Sequence, residues 1–252
     1  MPFDHEKLRV YQESLGFARL AKEMLAGWQD RYAVGGHLRR ASGSILLNLA
    51  VGAIQRSSRM KAAKFDIALG STLECAGCVD VAHVYELLTN EAAASGKQRL
   101  SAITGMLIGL RRSTNPQVRE DVSAYEASTG SDSSQALFSH ERLDVYQVAL
   151  EFVAWLHGVS CSAELPKQLF GELDAAATGI VLNVAEGNGR FATGDHRRFL
   201  GYAQDAAVKA ATCLDLAVLG HAIEPRRAGT AKRLLERVVA MLFRMIGPAE
   251  YD

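Results

Sequence analysis

The chain has little of what marks a secreted or metal-dependent protein. It contains only four cysteines in 252 residues, and their spacing is not that of a disulfide framework. Cys75 and Cys78 form a single C-x-x-C inside a helical segment, without a second pair or a histidine at ligand spacing. We therefore expect buried core thiols rather than a zinc or redox site, and we expect no metal and no cofactor.

Long apolar runs are absent as well. The sequence has no run of about 18 uncharged apolar residues, which is close to the length needed to cross a bilayer. The N-terminal segment 1–6, MPFDHE, is too acidic and polar for a signal peptide. These absences predict a soluble cytoplasmic protein without membrane contact.

The chain also lacks net charge and is poor in aromatic residues. It carries 28 basic and 28 acidic residues, and phenylalanine, tryptophan and tyrosine together make up 7%. Strong readers of nucleic-acid sequence combine a basic surface with interleaved aromatic side chains. The composition argues against a reader of that kind.

What the sequence does have is an internal duplication. Residues 3–12, FDHEKLRVYQ, return 135 positions later as residues 138–147, FSHERLDVYQ. The same offset, without a gap, pairs Asn48 with Asn183 and Asp80 with Asp215. A period this long indicates a duplicated domain rather than a short solenoid repeat. A residue that the common fold requires should therefore occur in both repeats.

The duplication divides the chain into three segments. We define the first repeat as residues 1–113, the linker as 114–137 and the second repeat as 138–252. The linker is rich in small polar residues and shows no apolar period, as expected for a flexible connection. By count, the first repeat has 15 basic and 10 acidic residues, the linker 1 and 4, and the second repeat 12 and 14. The balanced total thus conceals net charges of +5, −3 and −2.

Each repeat shows helical periodicity and no strand-like alternation. Leu8, Tyr11 and Leu15 fall on one helix face, and only five prolines interrupt the whole chain. Second helices are expected at about 35–57 and 166–186, third helices at about 60–90 and 195–223, and fourth helices at about 97–112 and 226–246. Four helices with short connections predict an antiparallel up-down-up-down bundle. The predicted fold class is all-α, with two such four-helix bundles in tandem.

Three segments carry a resemblance to a known family. They are 38–50 (LRRASGSILLNLA), 68–74 (ALGSTLE) and 185–190 (AEGNGR). Together they resemble the four-helix-bundle family of ribosomal RNA intervening-sequence proteins, which includes the accessory variability proteins of diversity-generating retroelements. The resemblance covers nearly all of both repeats. It implies a bacterial cytoplasmic bundle, ring-like homo-oligomers and no known enzymatic activity. In the retroelement members it also implies a basic surface that binds nucleic acid and the reverse transcriptase.

The two repeats depart from the family pattern in a complementary way. An arginine pair on the second helix and a glutamate on the third are replaced, in the second repeat, by residues of opposite charge. The simplest hypothesis is one interhelical ion pair kept with reversed polarity, and the alternative is two independent surface substitutions. The residues concerned are Arg39, Arg40 and Glu74 in the first repeat and Asp174 and Lys209 in the second.

Basic residues crowd the connection between the second and third helices of each repeat. Such clusters can neutralise phosphates, although a merely solvated bundle end is the alternative. Because the first repeat holds the positive excess, we expect it to dominate any contact. The candidate nucleic-acid residues are Arg56, Arg59, Lys61 and Lys64 in the first repeat, and Arg190, Arg197 and Arg198 in the second.

The sequence leaves two functions in competition. The first is a non-catalytic scaffold or adaptor whose basic patch contacts RNA, DNA or a nucleic-acid enzyme such as a reverse transcriptase. The second is a protein–protein assembly module that self-associates through bundle sides and binds no nucleic acid. An enzyme is not expected, because neither repeat shows a nucleophile–base pair or a set of metal ligands.

Overall fold

The computed structural model describes residues 3–28, 31–114, 136–162 and 165–247, and this part of the chain is helical without a strand. The first repeat contains α1 (Arg9–Ala26), α2 (Ala33–Ile54), α3 (Ser58–Val84) and α4 (Asn90–Thr114). The second contains α5 (Asp144–Ser162), α6 (Lys167–Asn188), α7 (Thr193–Leu219) and α8 (Pro225–Ile246). Short 3-10 turns at Asp4–Lys7 and Ser139–Arg142 precede α1 and α5. The predicted pair of antiparallel four-helix bundles is confirmed, whereas most of the predicted linker lies outside the described residues.

Each bundle is held by apolar side chains at helical spacing. Leu38, Ile45 and Leu49 on α2 are fully buried and lie 7 and 4 positions apart, so they share one face of the helix. The same spacing on α6 buries Leu173 and Ile180. This stripe packs each second helix against its first and third helices. The apolar residues that recur at helical spacing in the sequence therefore form the core of each bundle.

The turn between the third and fourth helices begins earlier in the chain than expected. In the first repeat α3 ends at Val84 and α4 begins at Asn90, because Glu86 takes a left-handed conformation with φ of 57°. His221, the counterpart of Glu86 at the 135-residue offset, has the same φ of 57°. Leu87 N donates to Ala82 O at 2.9 Å, closing the helix end with a Schellman-type bond. A glycine commonly marks a left-handed helix end of this kind, but the residue here is Glu86. For that reason the helix predicted from the sequence extends to about residue 90.

The two bundles pack against each other through α3 and α6, which run antiparallel. Gly77 of α3 faces Leu182 of α6, and a Cβ atom on Gly77 would lie 2.9 Å from Leu182 Cδ2 and 3.5 Å from Ala185 Cβ. A Cβ atom on Gly189 would overlap Leu73. Glycine at these two positions therefore permits the close approach of the helices. We call this contact between the repeats the seam.

The seam explains why α3 is buried on nearly all sides between residues 68 and 82. By length and composition alone α3 could cross a membrane, but 72% of its most apolar window is buried within the protein. It packs on α2 and α4 in its own bundle and on α5 and α6 of the other. A helix that is apolar all round is expected at the centre of such an assembly. Helix α3 is thus the central core helix of the paired bundles.

The seam joins unlike faces of the two repeats. The first repeat contributes α3, with α2 and the Lys97 side chain of α4, whereas the second contributes α5 and α6. At the 135-residue offset α5 and α6 correspond to α1 and α2, and α3 corresponds to α7. The contact is therefore head-to-tail rather than two-fold symmetric. The seam face of the second repeat, on α5 and α6, corresponds to a face of α1 and α2 that stays exposed in the first repeat. The seam face of the first repeat, on α3 and α4, corresponds to an exposed face of α7 and α8 in the second.

We expect Gly77→Leu to destabilise the protein, because the added side chain collides with Leu182 at the seam. Overpacking of this kind typically costs about 1–3 kcal/mol. The matched control is Gly105→Leu, since an added Cβ at Gly105 meets nothing within 4 Å, and it should be neutral or slightly stabilising through helix propensity. Urea unfolding followed by circular dichroism measures both. Equal unfolding midpoints would contradict close packing at the seam.

Candidate functional site

Four cations surround the turn that joins α2 to α3. Helix α2 ends at Ile54, and Ser57 caps α3 by accepting a hydrogen bond from Met60 N at 3.5 Å. We call the four residues around this cap the basic turn: Arg56, Arg59, Lys61 and Lys64. The two arginines are exposed and the two lysines are half-buried. None of the four forms an ion pair with another described residue, so their charges face solvent uncompensated.

The basic turn opposes the dipole of its own helix. The N-terminus of a helix carries partial positive charge and is stabilised by acidic residues in the first turn. Helix α3 has no acidic residue in its first turn. The basic residues there add positive charge to the free N–H groups, which costs stability but attracts anions. This combination is typical of a phosphate-contacting surface rather than of an optimised helix end.

The counterpart region of the second repeat is organised differently. Arg190 is 8% exposed at the seam, where it forms an ion pair with Glu186 and its Nη1 lies 3.5 Å from Asp66 O. Arg190 therefore does not lie on an accessible surface as the sequence predicted, because the seam covers its guanidinium, although its Nε has no hydrogen-bond partner among the described residues. Arg198 Nη2 lies 2.9 Å from Asp195 Oδ1, so it is partly neutralised. Arg197 also has an interaction within the protein.

Both helix 2–helix 3 turns nevertheless lie at the same end of the molecule. Arg111 near the end of α4 forms an ion pair with Asp66 and stacks over the Phe191 ring at 4.0 Å. Phe191 occupies the turn between α6 and α7. The antiparallel course of α3 and α6 produces this arrangement, since it places the start of α3 beside the end of α6. The basic turn and the exposed Arg198 thus belong to one end of the paired bundles.

The hypothesis of a reversed ion pair holds in one repeat only. Arg40 Nη2 lies 3.6 Å from Glu74 Oε1, and His37 Nδ1 lies 3.0 Å from the same oxygen. Arg39 is exposed.

In the second repeat the hypothesis is wrong. Asp174 is 1% exposed and accepts hydrogen bonds from Ala33 N and Tyr85 Oη, both at 2.6 Å, whereas Lys209 is exposed. Burial raises the pKa of Asp174, and the two hydrogen bonds oppose that rise. The charge of Asp174 is used across the seam, not within its own bundle.

A network of four polar side chains closes the opposite edge of the seam. Tyr146 Oη donates to Asp80 Oδ2 and Lys97 Nζ donates to Asp80 Oδ1, each at 2.7 Å. Lys97 Nζ also lies 2.6 Å from Glu141 Oε1. Burial alone would lower the pKa of Lys97, but the charges of Asp80 and Glu141 raise it, so the ammonium is firmly protonated. We call Asp80, Lys97, Glu141 and Tyr146 the seam tetrad.

His140 lies beside the seam tetrad without a hydrogen-bond partner at either ring nitrogen. Ligand atoms of His140, Asp80 and Glu141 lie within 4.8 Å of one another, a spacing that could hold a metal ion. The Lys97 ammonium, however, already bridges the two carboxylates and would compete with a cation for that space. The donor set therefore fits a structural ion-pair network better than a metal site.

The other polar residues singled out in the sequence have structural roles. Asn48 Nδ2 donates to Ser44 O at 2.9 Å, and Asn183 Nδ2 donates to Gly179 O at 2.7 Å, each within its own helix. Cys75 and Cys78 are completely buried. Burial raises the pKa of both thiols well above the ordinary value, which keeps them protonated and unreactive.

Sequence reasoning missed the seam tetrad. Its signal was nevertheless present, because Tyr146, Glu141 and Asp80 recur as Tyr11, Glu6 and Asp215, and Lys97 recurs as Lys232 at the same offset. Only the structure shows that these distant residues meet across two repeats.

The family assignment follows from the duplicated bundle. The model of the family described as 23S rRNA-intervening sequence protein matches residues 6–109 and again residues 141–244. These two matches cover most of the chain and coincide with its two bundles. The chain belongs to this family, as a tandem duplication. No curated protein and no solved structure matches it.

We expect acid to destabilise the protein through His140. Burial lowers the pKa of His140 from 6.5 to about 3, so the folded state binds fewer protons than the unfolded state between these values. This contribution to stability is complete above pH 6.5 and is lost as the pH falls toward 3. Relative to His140→Phe, the free energy of unfolding should fall by about 1.4 kcal/mol per pH unit in this range.

The matched control for this measurement is His5→Phe. His5 stacks between Phe3 and Tyr11 as His140 does between Phe138 and Tyr146, but on an open face where it is only half-buried. Urea unfolding at several pH values between 7 and 4 compares the three proteins. A wild-type curve parallel to that of His140→Phe would show that His140 does not resist protonation.

Proposed function

We propose that the protein is a non-catalytic cytoplasmic scaffold whose basic turn contacts the phosphates of RNA or DNA. The observation that carries the proposal is the cluster Arg56, Arg59, Lys61 and Lys64, which has no acidic partner among the described residues. The partner is nucleic acid alone or nucleic acid held by an enzyme such as a reverse transcriptase.

Three features support contact with phosphates rather than with bases. The cations stand at a helix N-terminus, where backbone N–H groups also attract anions. The two arginines are exposed and can reach a ligand. No aromatic side chain stands among the four residues, so a stacking platform for bases is missing at the basic turn itself. Binding should therefore depend strongly on salt and weakly on sequence.

The alternative function is a protein–protein assembly module. It is favoured by a separate observation, the exposed apolar side chains on α2 and α7, among them Leu47 and Leu219 at 69% and 77% exposure. A surface of this kind marks an interaction site when its residues are contiguous.

The test is the salt dependence of affinity for an RNA duplex and a DNA duplex of equal length. We expect log affinity to fall linearly with log salt concentration, with a slope that reports the number of phosphates contacted. Replacing all four residues of the basic turn by alanine should reduce the magnitude of that slope by up to about four, or about one for each phosphate that the variant no longer neutralises. Fluorescence anisotropy at about 50–200 mM salt measures it.

A charge-matched control removes four cations elsewhere. Arg226, Arg227, Arg233 and Arg237 lie within the first 13 residues of α8, which begins at the opposite end of the molecule. Their replacement by alanine changes the net charge equally but should leave the slope nearly unchanged. Equal losses of affinity in both variants would indicate nonspecific attraction, and no affinity of the intact protein would favour the assembly module.

A further inference from the structure

A cavity of about 300 Å³ lies beside the basic turn, at the end of the bundle where α1 begins and α4 ends. The buried Phe65 ring lies at its base, and half-buried apolar side chains form its walls. Exposed residues line its rim, among them Asp4, Arg56 and Ser58. Small-molecule sites begin at about this volume, so the space can hold one nucleotide but not a longer segment. We call it the end cavity.

The second repeat closes the corresponding space with its own side chains. At the 135-residue offset Ser139 and Asn188 correspond to Asp4 and Ala53, which both line the end cavity. Asn188 Nδ2 donates a hydrogen bond to Ser139 Oγ at 2.5 Å, which joins the two walls. The fold therefore does not require an open space at this point. The short side chain of Ala53 leaves it open in the first repeat.

The cations of the end cavity also differ from their counterparts. Phe191, the counterpart of Arg56, packs under the guanidinium of Arg111 at 4.0 Å. His196, the counterpart of Lys61, has its Nδ1 atom 2.7 Å from a backbone carbonyl oxygen. The second repeat thus uses both positions to hold its own structure. In the first repeat Arg56 and Lys61 line the open cavity and have no acidic partner among the described residues.

Hydrogen-bond acceptors line the other side of the end cavity. Ser113 Oγ and Thr114 Oγ1 each donate to a carbonyl oxygen of α4 at 2.7 Å, so their oxygens remain available only as acceptors. Asp4 Oδ1 accepts from Lys7 Nζ at 3.0 Å, which leaves Oδ2 to accept from a ligand. A ligand that fits must therefore carry an anion at one end, hydroxyl or amino donors at the other, and an apolar surface between them.

We propose that the end cavity binds the 3′-terminal nucleotide of an RNA strand. The phosphate of that nucleotide would lie against Arg56 and Lys61, and its 2′- and 3′-hydroxyl groups would donate to Asp4. The base and sugar would cover the apolar walls, which offer no pattern of donors and acceptors to read a particular base. The proposal rests on the function proposed above, and it extends the contact from phosphates along the strand to the end of the strand.

The charges favour a strand end over an internal nucleotide. An internal nucleotide carries a second phosphate in place of the free 3′-hydroxyl, and the Asp4 carboxylate would repel that phosphate. A terminal nucleotide leaves the cavity on one side only, so the preceding phosphates can continue over Arg59 and Lys64. The 2′-hydroxyl, which DNA lacks, gives Asp4 a second donor and favours RNA.

Three short single-stranded oligonucleotides of one sequence test the proposal, each labelled at its 5′ end. The first is RNA with a free 3′-hydroxyl, the second is the same RNA with a 3′-phosphate, and the third ends in a 2′-deoxynucleotide. We expect the 3′-phosphate to weaken binding about tenfold, because it removes a hydrogen bond to a charged group and adds repulsion. The deoxynucleotide should weaken binding less. Fluorescence anisotropy at about 50 mM salt measures all three.

Variants that close the end cavity should abolish this preference. Asp4→Ser combined with Ala53→Asn installs the pair that closes the second repeat, and Ala53→Leu fills the space while it keeps the Asp4 carboxylate. Both retain the whole basic turn, so the salt slope for duplexes should stay nearly unchanged. The matched control is Val51→Asn, which lies on the same helix outside the end cavity and is 39% exposed. It should keep the preference. Circular dichroism verifies that each variant is folded.

The outcomes separate this proposal from the function on which it rests. Equal binding of the three strands, with the salt slope intact, would overturn the assignment of the end cavity and leave the basic turn as a phosphate contact. A preference that survives Ala53→Leu would overturn it as well. A free nucleoside 5′-monophosphate should compete weakly, because it lacks the preceding phosphates, and competition as strong as that of the strand would contradict binding of a strand end. No binding of any strand would overturn both proposals.

Discussion

The close antiparallel contact of α3 and α6 is the constraint on which the rest of the structure depends. It requires glycine at Gly77 and Gly189, because side chains there would occupy the space of Leu182 and Leu73. The contact buries the middle of α3, residues 68–82, on nearly all sides. It also decides which surfaces stay open, because a head-to-tail contact covers one face of each repeat and exposes the other.

Buried polar groups give this contact its register. Burial raises the pKa of Glu141 and Glu186, which shows that the seam holds carboxylates at a cost, opposed by Lys97 and Arg190. An apolar seam could slide by a helical turn without losing much energy. A seam with paired charges at both edges cannot, because sliding would leave a buried charge without its partner. The polar residues thus select one alignment of α3 on α6.

Much of the fold could be predicted from the sequence, because each helix carries its own apolar stripe and the repeat shows every stripe twice. The length of the third helix was overestimated, since Glu86 enters the left-handed region without a glycine to mark it. The residues of the candidate site were harder to predict from the sequence. Arg190 reads as a surface cation in the sequence, yet the seam buries it beside Glu186. The sequence predicts that Asp174 pairs with Lys209, but in the structure Asp174 accepts a hydrogen bond from Tyr85 of the other repeat. Both errors arise because repeat-to-repeat contacts leave no local periodic signal.

The second repeat covers one side of α3, and this affects how the protein folds during its synthesis. The ribosome delivers the first bundle complete before residue 138 is synthesised, so the receiving side of α3 emerges uncovered. Transiently exposed apolar surface of this kind is prone to mispairing, and domains generally fold in the order of synthesis. The covalent connection then gives the second bundle a high effective concentration at that surface. Gene fusion therefore protects the nascent chain, because the partner that covers α3 arrives on the same polypeptide rather than by diffusion.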